Sequence, residues 1–268
     1  MKEKIFMLFA VVVFANSTCQ AQSPVNAKKS SVAKQTSYSI EPIDPKVDTF
    51  PQSYVGHDLL KIVNSINPPA PKGEFESSAQ YEVRLAAWVE KPYLGKIAPK
   101  DSIAIEIPSG QTSALSSTGF LSEYDADEEV MNANIRFSPE IGEVSWLDAF
   151  STSKFLGESQ AVTRMNVKFA VKSFEVTKLG LAFKDQQRTI SVAIKMPKSE
   201  AQQRKHDLKA FVVVTLATPF RFQFRTNSKA TLDIPVERRI NFLGLSVKGS
   251  RIVFVDFKTG EVYAQYWI

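Results

Sequence analysis

Residues 208–219 read LKAFVVVTLATP, with an unbroken apolar run from Ala210 to Val214 that is rich in β-branched side chains. A strand apolar on both faces is one covered on two sides, so this stretch reads as the central strand of a sheet, and the rest of the chain is placed around it. Downstream, RFQFR (221–225) alternates Arg221 and Arg225 against Phe222 and Phe224, with Phe220 in step with the phenylalanines. LDIPVERRI (232–240) continues the pattern, and RIVFVDF (251–257) and EVYAQYWI (261–268) read as the last two strands. Upstream, TISVAIKMP (189–197) sets Ile190, Val192, Ile194 and Met196 on one face. TRMNVKFAVKSFEV (163–176) does the same with Met165, Val167, Phe169 and Val171, before a bend expected at Lys178-Leu179-Gly180.

Earlier still, EVMNANIRF (129–137) turns Met131, Ala133, Ile135 and Phe137 inward, and SIAIEIP (102–108) alternates Ile103, Ile105 and Ile107 as a half-buried strand does. The segment holding EIGEVSWLDAF (140–150) reads as irregular. Ahead of the strands, HDLLKIVNSINPP (57–69) carries an apolar stripe at Leu59, Ile62, Val63 and Ile66, with Asp58 at its start and prolines at its end. GEFESSAQYEVRLAAWVEKP (73–92) has a capping-box pair in Ser77 and Gln80, a face of Tyr81, Leu85 and Trp88, and Phe75 placed to pack on its first turn. KSEAQQRKHDLK (198–209) is a polar helical insert in which Ser199 and Gln202 repeat that capping spacing. The fold expected is α+β and β-rich: a mostly antiparallel sheet or sandwich with two or three short helices, the main ones N-terminal. A helical subregion spans 52–92 and the sheet 100–268, within one domain at 52–268.

The N-terminus has another logic. Lys2 and Lys4 precede an apolar run from Ile5 to Ala15, followed by small and polar residues up to Ala21. This is the plan of a secretory signal peptide over 1–21. The run has 11 residues, against about 20 for a bilayer-spanning helix, so no transmembrane segment is expected in the processed chain. Cleavage after Ala21 removes Cys19, the only cysteine, and leaves stability to apolar burial. The alternative is lipidation of Cys19, which would tether the protein to the membrane; Asn16-Ser17-Thr18 is a poor approach sequence for it. Residues 22–51, rich in Ser, Lys, Pro and Ala, read as a flexible tether. Lys2, Lys4 and Glu3 contribute +1 of the formal +5, which leaves +4 on the processed chain. Such a mild charge fits attraction to an anionic envelope polymer or lipid headgroups and argues against a nucleic-acid binder.

The inventory of reactive groups is thin. Lys258-Thr259-Gly260 spells the KTG triplet of penicillin-recognising enzymes, and Ser151-Thr152-Ser153-Lys154 has the spacing of their Ser-x-x-Lys, but no Ser-x-Asn lies between them. Ser65-Ile66-Asn67 lies upstream of both, so a hairpin turn is the better reading. His57 and His206 are the only histidines, and both read as surface or capping residues; no HExxH or other metal set is present. The acidic run with Glu123, Asp125, Asp127, Glu128 and Glu129 lacks the glycine and terminal glutamate of a calcium loop. Strands apolar on both faces do not suit an outer-membrane barrel. No catalytic residue, metal ligand or cofactor is assigned. A basic face of Arg221, Arg225, Arg238, Arg239 and Arg251 is the candidate for binding.

Three stretches, GEFESSAQYEVR (73–84), SKFLGESQAVTRMNVKF (153–169) and MPKSEAQQRKHDLKAFVVVTLATP (196–219), resemble segments of uncharacterised exported proteins of Gram-negative bacteria. The resemblance implies export and no particular substrate. The expectation is an exported, periplasmic, non-enzymatic β-rich binding or scaffold module of the cell envelope, with an envelope protein or an anionic polymer as partner. The alternatives are a hydrolase using paired carboxylates, for which Glu106, Glu143 and Asp148 are available, and the lipoprotein anchored through Cys19. Intact-mass measurement of the exported chain separates two of these: a chain beginning at Gln22 is expected, and an acylated Cys19 contradicts it.

Overall fold

The computed structural model describes residues 37–109, 119–141, 143–185 and 189–268. The expected signal peptide at 1–21 with Cys19, and residues 22–36 of the expected tether, lie outside them. The described chain is β-rich and mostly antiparallel. Two helices, α1 (Leu59–Ser65) and α2 (Ser78–Val89), precede β1 (Ser102–Ile107), β2 (Gly119–Asp125), β3 (Val130–Arg136), β4 (Ser138–Ile141), β5 (Val144–Val162), β6 (Lys168–Phe183) and β7 (Thr189–Lys195). A third helix, α3 (Lys198–Arg204), is followed by β8 (Leu208–Ser228), β9 (Val236–Asp256) and β10 (Val262–Trp267).

The larger sheet has the order β1-β8-β9-β6-β5-β4, and β2-β3-β7 form a separate antiparallel sheet. Every pairing between these strands is antiparallel except β6 with β9, which run parallel from Lys172↔Val236 to Phe183↔Val247. Beyond that point the same edge of β9 pairs with β10, through Trp267↔Arg251 to Val262↔Val255. The large sheet curls until β1 approaches β5. The concave face holds Leu59, Ile62, Val63 and Ile66 of α1 against Val212, Leu181 and Leu245, with Met131, Ile135 and Ile194 of the smaller sheet in the same core. On the opposite face Phe50 stacks on Phe211 with centroids 5.8 Å apart, and Tyr54 leans on both rings. Ala104, Val213, Val253 and Val255 complete that layer. β1 is therefore covered on both faces instead of half-buried, and β8 is the doubly covered strand expected of its apolar run.

Several local expectations change. Residues 38–51 are no free tether: Ser39 bridges to His57, Thr49 to Glu261, and Phe50 is buried. Ser77 and Gln80 do form the capping box of α2, but Phe75 is 95% exposed and packs on nothing. α3 begins after Pro197 without a side-chain cap, so Ser199 lies inside it. The "irregular" 140–150 stretch is the end of β4 and the start of β5, and the supposed bend at 178–180 runs straight through β6. Phe220 leaves the alternation of its neighbours. The β8–β9 register slips between Leu216 and Arg221, and Phe220 turns with φ 70° to meet Trp88 at 4.7 Å.

The four longest strands outrun the core. Ser151 to Lys154 are consecutively exposed, as are Gln223 to Asn227, which in a strand means that both faces are open. Two hairpins, β5–β6 and β8–β9, thus project side by side as a wing comprising residues 150–176 and 221–241, a single layer among the described residues, in which Val171, as expected, and Val176 of β6 are the buried side chains. Trp146 lies at its root, fully buried. Its indole crosses Gly180 and Gly244: a Cβ on Gly180 would stand 2.7 Å from the ring, and one on Gly244 would stand 2.9 Å from it. Phe242 meets the indole edge-on at 5.3 Å, and Phe222 at 5.5 Å. Gly244→Ala is expected to cost about 1–3 kcal/mol through overpacking, read as a lowered urea midpoint at unchanged slope.

Candidate functional site

A cavity of about 330 Å³ opens where β1 approaches β5, and His57, Asp58, Leu59, Ile105, Glu106 and Phe150 are among its walls. Its polar groups are already engaged. His57 Nε2 lies 2.8 Å from the Glu41 carbonyl, while Nδ1 is 3.0 Å from the Ala104 backbone N–H. The ring therefore donates from Nε2 and accepts at Nδ1, as a neutral imidazole. Burial lowers its pKa below the ordinary 6.5, against the opposing pull of the Glu41 and Ala104 backbone bonds. His57 is not a surface residue: it clamps residues 39–41 to β1. Asp58 caps α1 by accepting from the Lys61 N–H at 3.0 Å, and Glu106 is paired with Lys209 at 2.5 Å.

The remaining candidates are likewise structural. Asp148 accepts from Lys178 Nζ at 2.9 Å and from Trp146 Nε1 at 2.5 Å in the buried root of the wing. It lies on the face of the sheet away from the cavity, and Glu143 is an exposed turn residue with φ 72°, so the three carboxylates do not assemble into a hydrolytic pair. Lys258-Thr259-Gly260 is the β9–β10 turn. Asp256 Oδ1 accepts from the N–H groups of Lys258 and Thr259, at 2.7 and 2.9 Å. Lys258 Nζ is 2.7 Å from Asp207, while Ser151 stands opposite Lys178 in the wing. Among the described residues no cluster of three His, Cys, Asp or Glu could hold a metal, and no helix is long and apolar enough to cross a membrane.

The wing is where exposed chemistry gathers. By register, Thr177, Thr152, Asn241 and Arg225 share one face, as do Glu175, Lys154, Arg239 and Asn227 one step further out. Arg221 lies on this face too, so three of the five expected arginines, Arg221, Arg225 and Arg239, do share it. Arg238 does not: it stands beside Phe174 and Ser228 on the other face, with Phe155, whose ring lies 5.4 Å from that of Phe174. Arg251 is no part of any surface. It is fully buried at the far end of β9, donates to the Val47 carbonyl and Gln265, and lies 5.7 Å from the Trp267 ring. Burial lowers its pKa, countered by Asp48 and Asp44.

The wing residues 150–176 and 221–241 contain nine Lys and Arg against four Asp and Glu, a net +5. That equals the formal charge of the whole chain, so everything else balances to zero. The hairpin ends add exposed apolar side chains: Val162, Met165 and Val167 on one, Leu232 and Ile234 on the other. The sequence reading placed Met165 and Val167 inward on a strand; they belong to the turn before β6. The signal that could have revealed them is their setting among Thr163, Asn166, Thr231 and Pro235, residues of turns. No protein-family model, curated protein or solved structure matches this chain.

The His57 clamp makes stability pH-dependent. The neutral ring belongs to the folded state, so its contribution is complete above pH 6.5 and falls as the pH drops below it toward the lowered folded value. The expected slope is at most about 1.4 kcal/mol per pH unit. Urea midpoints measured from about pH 7.5 to 5 should fall in the wild type, and His57→Gln should lose that component while being less stable at the upper end.

Proposed function

We propose that this protein is an exported, non-enzymatic binding module of the cell envelope, and that the wing is its contact surface for an anionic envelope component. The observation that carries the reading is the segregation of charge. A net +5 on a wing whose β5 and β8 strands are exposed on both faces creates a local potential that the same charge spread over the whole chain would not. The secretory plan of residues 1–21 puts such a surface in a compartment rich in anionic polymers and lipid headgroups. The engagement of His57, Glu106 and Asp148 in fixed contacts favours binding over hydrolysis. A free-standing sheet has no core to justify its length, which makes contact with a partner the simplest use for it.

Export is tested by cell fractionation, where the chain is expected in the periplasmic extract. Binding is tested by retention on immobilised dextran sulfate. The wild type should need markedly higher salt for elution than the double variant Arg225→Glu/Arg239→Glu, because charges on one exposed face act together and are screened as salt rises. Equal elution of the two would remove the wing as the contact surface.

A further inference from the structure

The two hairpin ends of the wing lie at the same end of the sheet. β6 and β9 are parallel neighbours, paired from Lys172↔Val236 onward, and the Lys172 N–H donates to the Pro235 carbonyl at 3.0 Å. Each end is a built turn. The Val167 N–H donates to Thr163 Oγ1 at 3.1 Å, and Asn166 takes up φ 62°. The Ile234 N–H donates to Thr231 Oγ1, also at 3.1 Å, and the Thr231 N–H donates to the Ile234 carbonyl at 2.9 Å. These polar contacts hold the backbone and leave the large side chains outside: Met165 is 86% exposed, Ile234 59% and Leu232 54%. Around them stand Arg164, Lys168 and Lys172 of one hairpin and Lys229 and Arg238 of the other, with Asp233 the only acid in the two turns. Among the described residues Lys172 is the one of these with an ion-pair partner, Glu158 at 3.7 Å.

We propose that the paired hairpin tips dock on an anionic lipid surface, with Met165, Val167, Leu232 and Ile234 entering the headgroup layer and the basic side chains gripping lipid phosphates. Apolar side chains at an interface gain by leaving water, while lysine and arginine stems run along them and keep their charges at the headgroups. A soluble polyanion would match the basic residues and leave the apolar ones without purpose, and a second copy of this chain would bring the same excess of positive charge against itself. The lipid surface satisfies both features at once. This inference rests on the binding-module reading and deepens it, but the two fail separately.

The tip itself is the reporter. The full chain carrying Cys19→Ser and Met165→Cys is labelled at position 165 with an environment-sensitive fluorophore, so that the apolar leader, common to all variants, does not set the signal. Vesicles containing phosphatidylglycerol should brighten the label and shift its emission to the blue, and vesicles of phosphatidylcholine alone should not. Adding Arg164→Gln and Lys168→Gln should weaken the response to anionic vesicles by about 25-fold, roughly fivefold for each charge lost. Leu232→Gln/Ile234→Gln, on the other hairpin and without change of charge, should abolish it while leaving the urea midpoint and the retention on dextran sulfate in place. No response to anionic vesicles, an equal response to both vesicle types, or an unaffected Leu232→Gln/Ile234→Gln variant would overturn the proposal. A label that shifts with protein concentration in the absence of vesicles would assign the tips to a second copy instead. Retention on the polyanion without any vesicle response would leave the binding module standing and remove the lipid.

Discussion

Trp146 lies flat across Gly180 and Gly244 at the level where the large sheet leaves its core, and the rest of the wing inherits its geometry from that contact. Three strands are joined there by one ring: the tryptophan comes from β5, one glycine from β6 and the other from β9, and Phe222 of β8 closes the fourth side. A Cβ on Gly244 would also come within 1.9 Å of the Gly180 carbonyl, so the sheet tolerates no side chain at either position. Outward from the ring, the buried Asp148–Lys178 pair fills the next level, with the ammonium 5.8 Å from the Phe242 ring. A buried ion pair is a poor source of stability by itself but a strict specifier of geometry when every partner is in place. Here it fixes which face of β6 and β9 meets the tryptophan, and hence the register that carries both hairpins outward together.

The opposite end of the sheet depends on a different device. Residues 38–57 cross its outer face and are fastened by two buried side chains that draw on backbone carbonyls. His57 reaches Glu41, and Arg251 reaches Val47. Gly260 belongs to the same fastening: with φ 79° its Cα faces the Phe50 carbonyl, which a Cβ would meet at 1.9 Å. The KTG triplet thus has only the spelling of a catalytic set. Its glycine serves the turn and the strap that crosses it, and its lysine serves Asp207.

The sequence made the covered half of the sheet readable and the open half misleading. Met131 to Phe137 and Ile190 to Met196 alternate because one face meets the core, and there the inward residues are buried as expected, Val192 only in part; Ile103, Ile105 and Ile107 are buried too, in a strand whose other face is also covered. Met165 and Val167 alternate in the same way for another reason, since an apolar side chain exposed on a hairpin end looks identical in sequence to one that is buried. Gly180 was read as a bend because glycine usually marks one; in β6 it makes room for a ring that arrives from another strand, a long-range fact that local pattern does not contain. Arg251 sits in the same strand, β9, as Arg238 and Arg239, and what decides that it is buried is the path of residues 38–57 and of β10 around that end of the strand. Residues 151–160 show no clean alternation, for the plain reason that neither face has a partner to select for one.

Total charge was the least informative number in the chain. A net +5 over 268 residues is mild, and as a global quantity it supports no more than weak attraction to an anionic surface. Interactions among exposed charges fade beyond about 8–10 Å at physiological salt, so a partner responds to local density and is blind to the sum. The parallel pairing of β6 with β9 creates that density, because it brings Lys168 and Lys172 of one hairpin beside the Lys229 turn and Arg238 of the other although some sixty residues separate them in the chain. An antiparallel pairing would have sent the two turns to opposite ends of the sheet and divided the basic residues between them. Topology, more than composition, is therefore what turns an ordinary surplus of lysine and arginine into a surface able to select a partner.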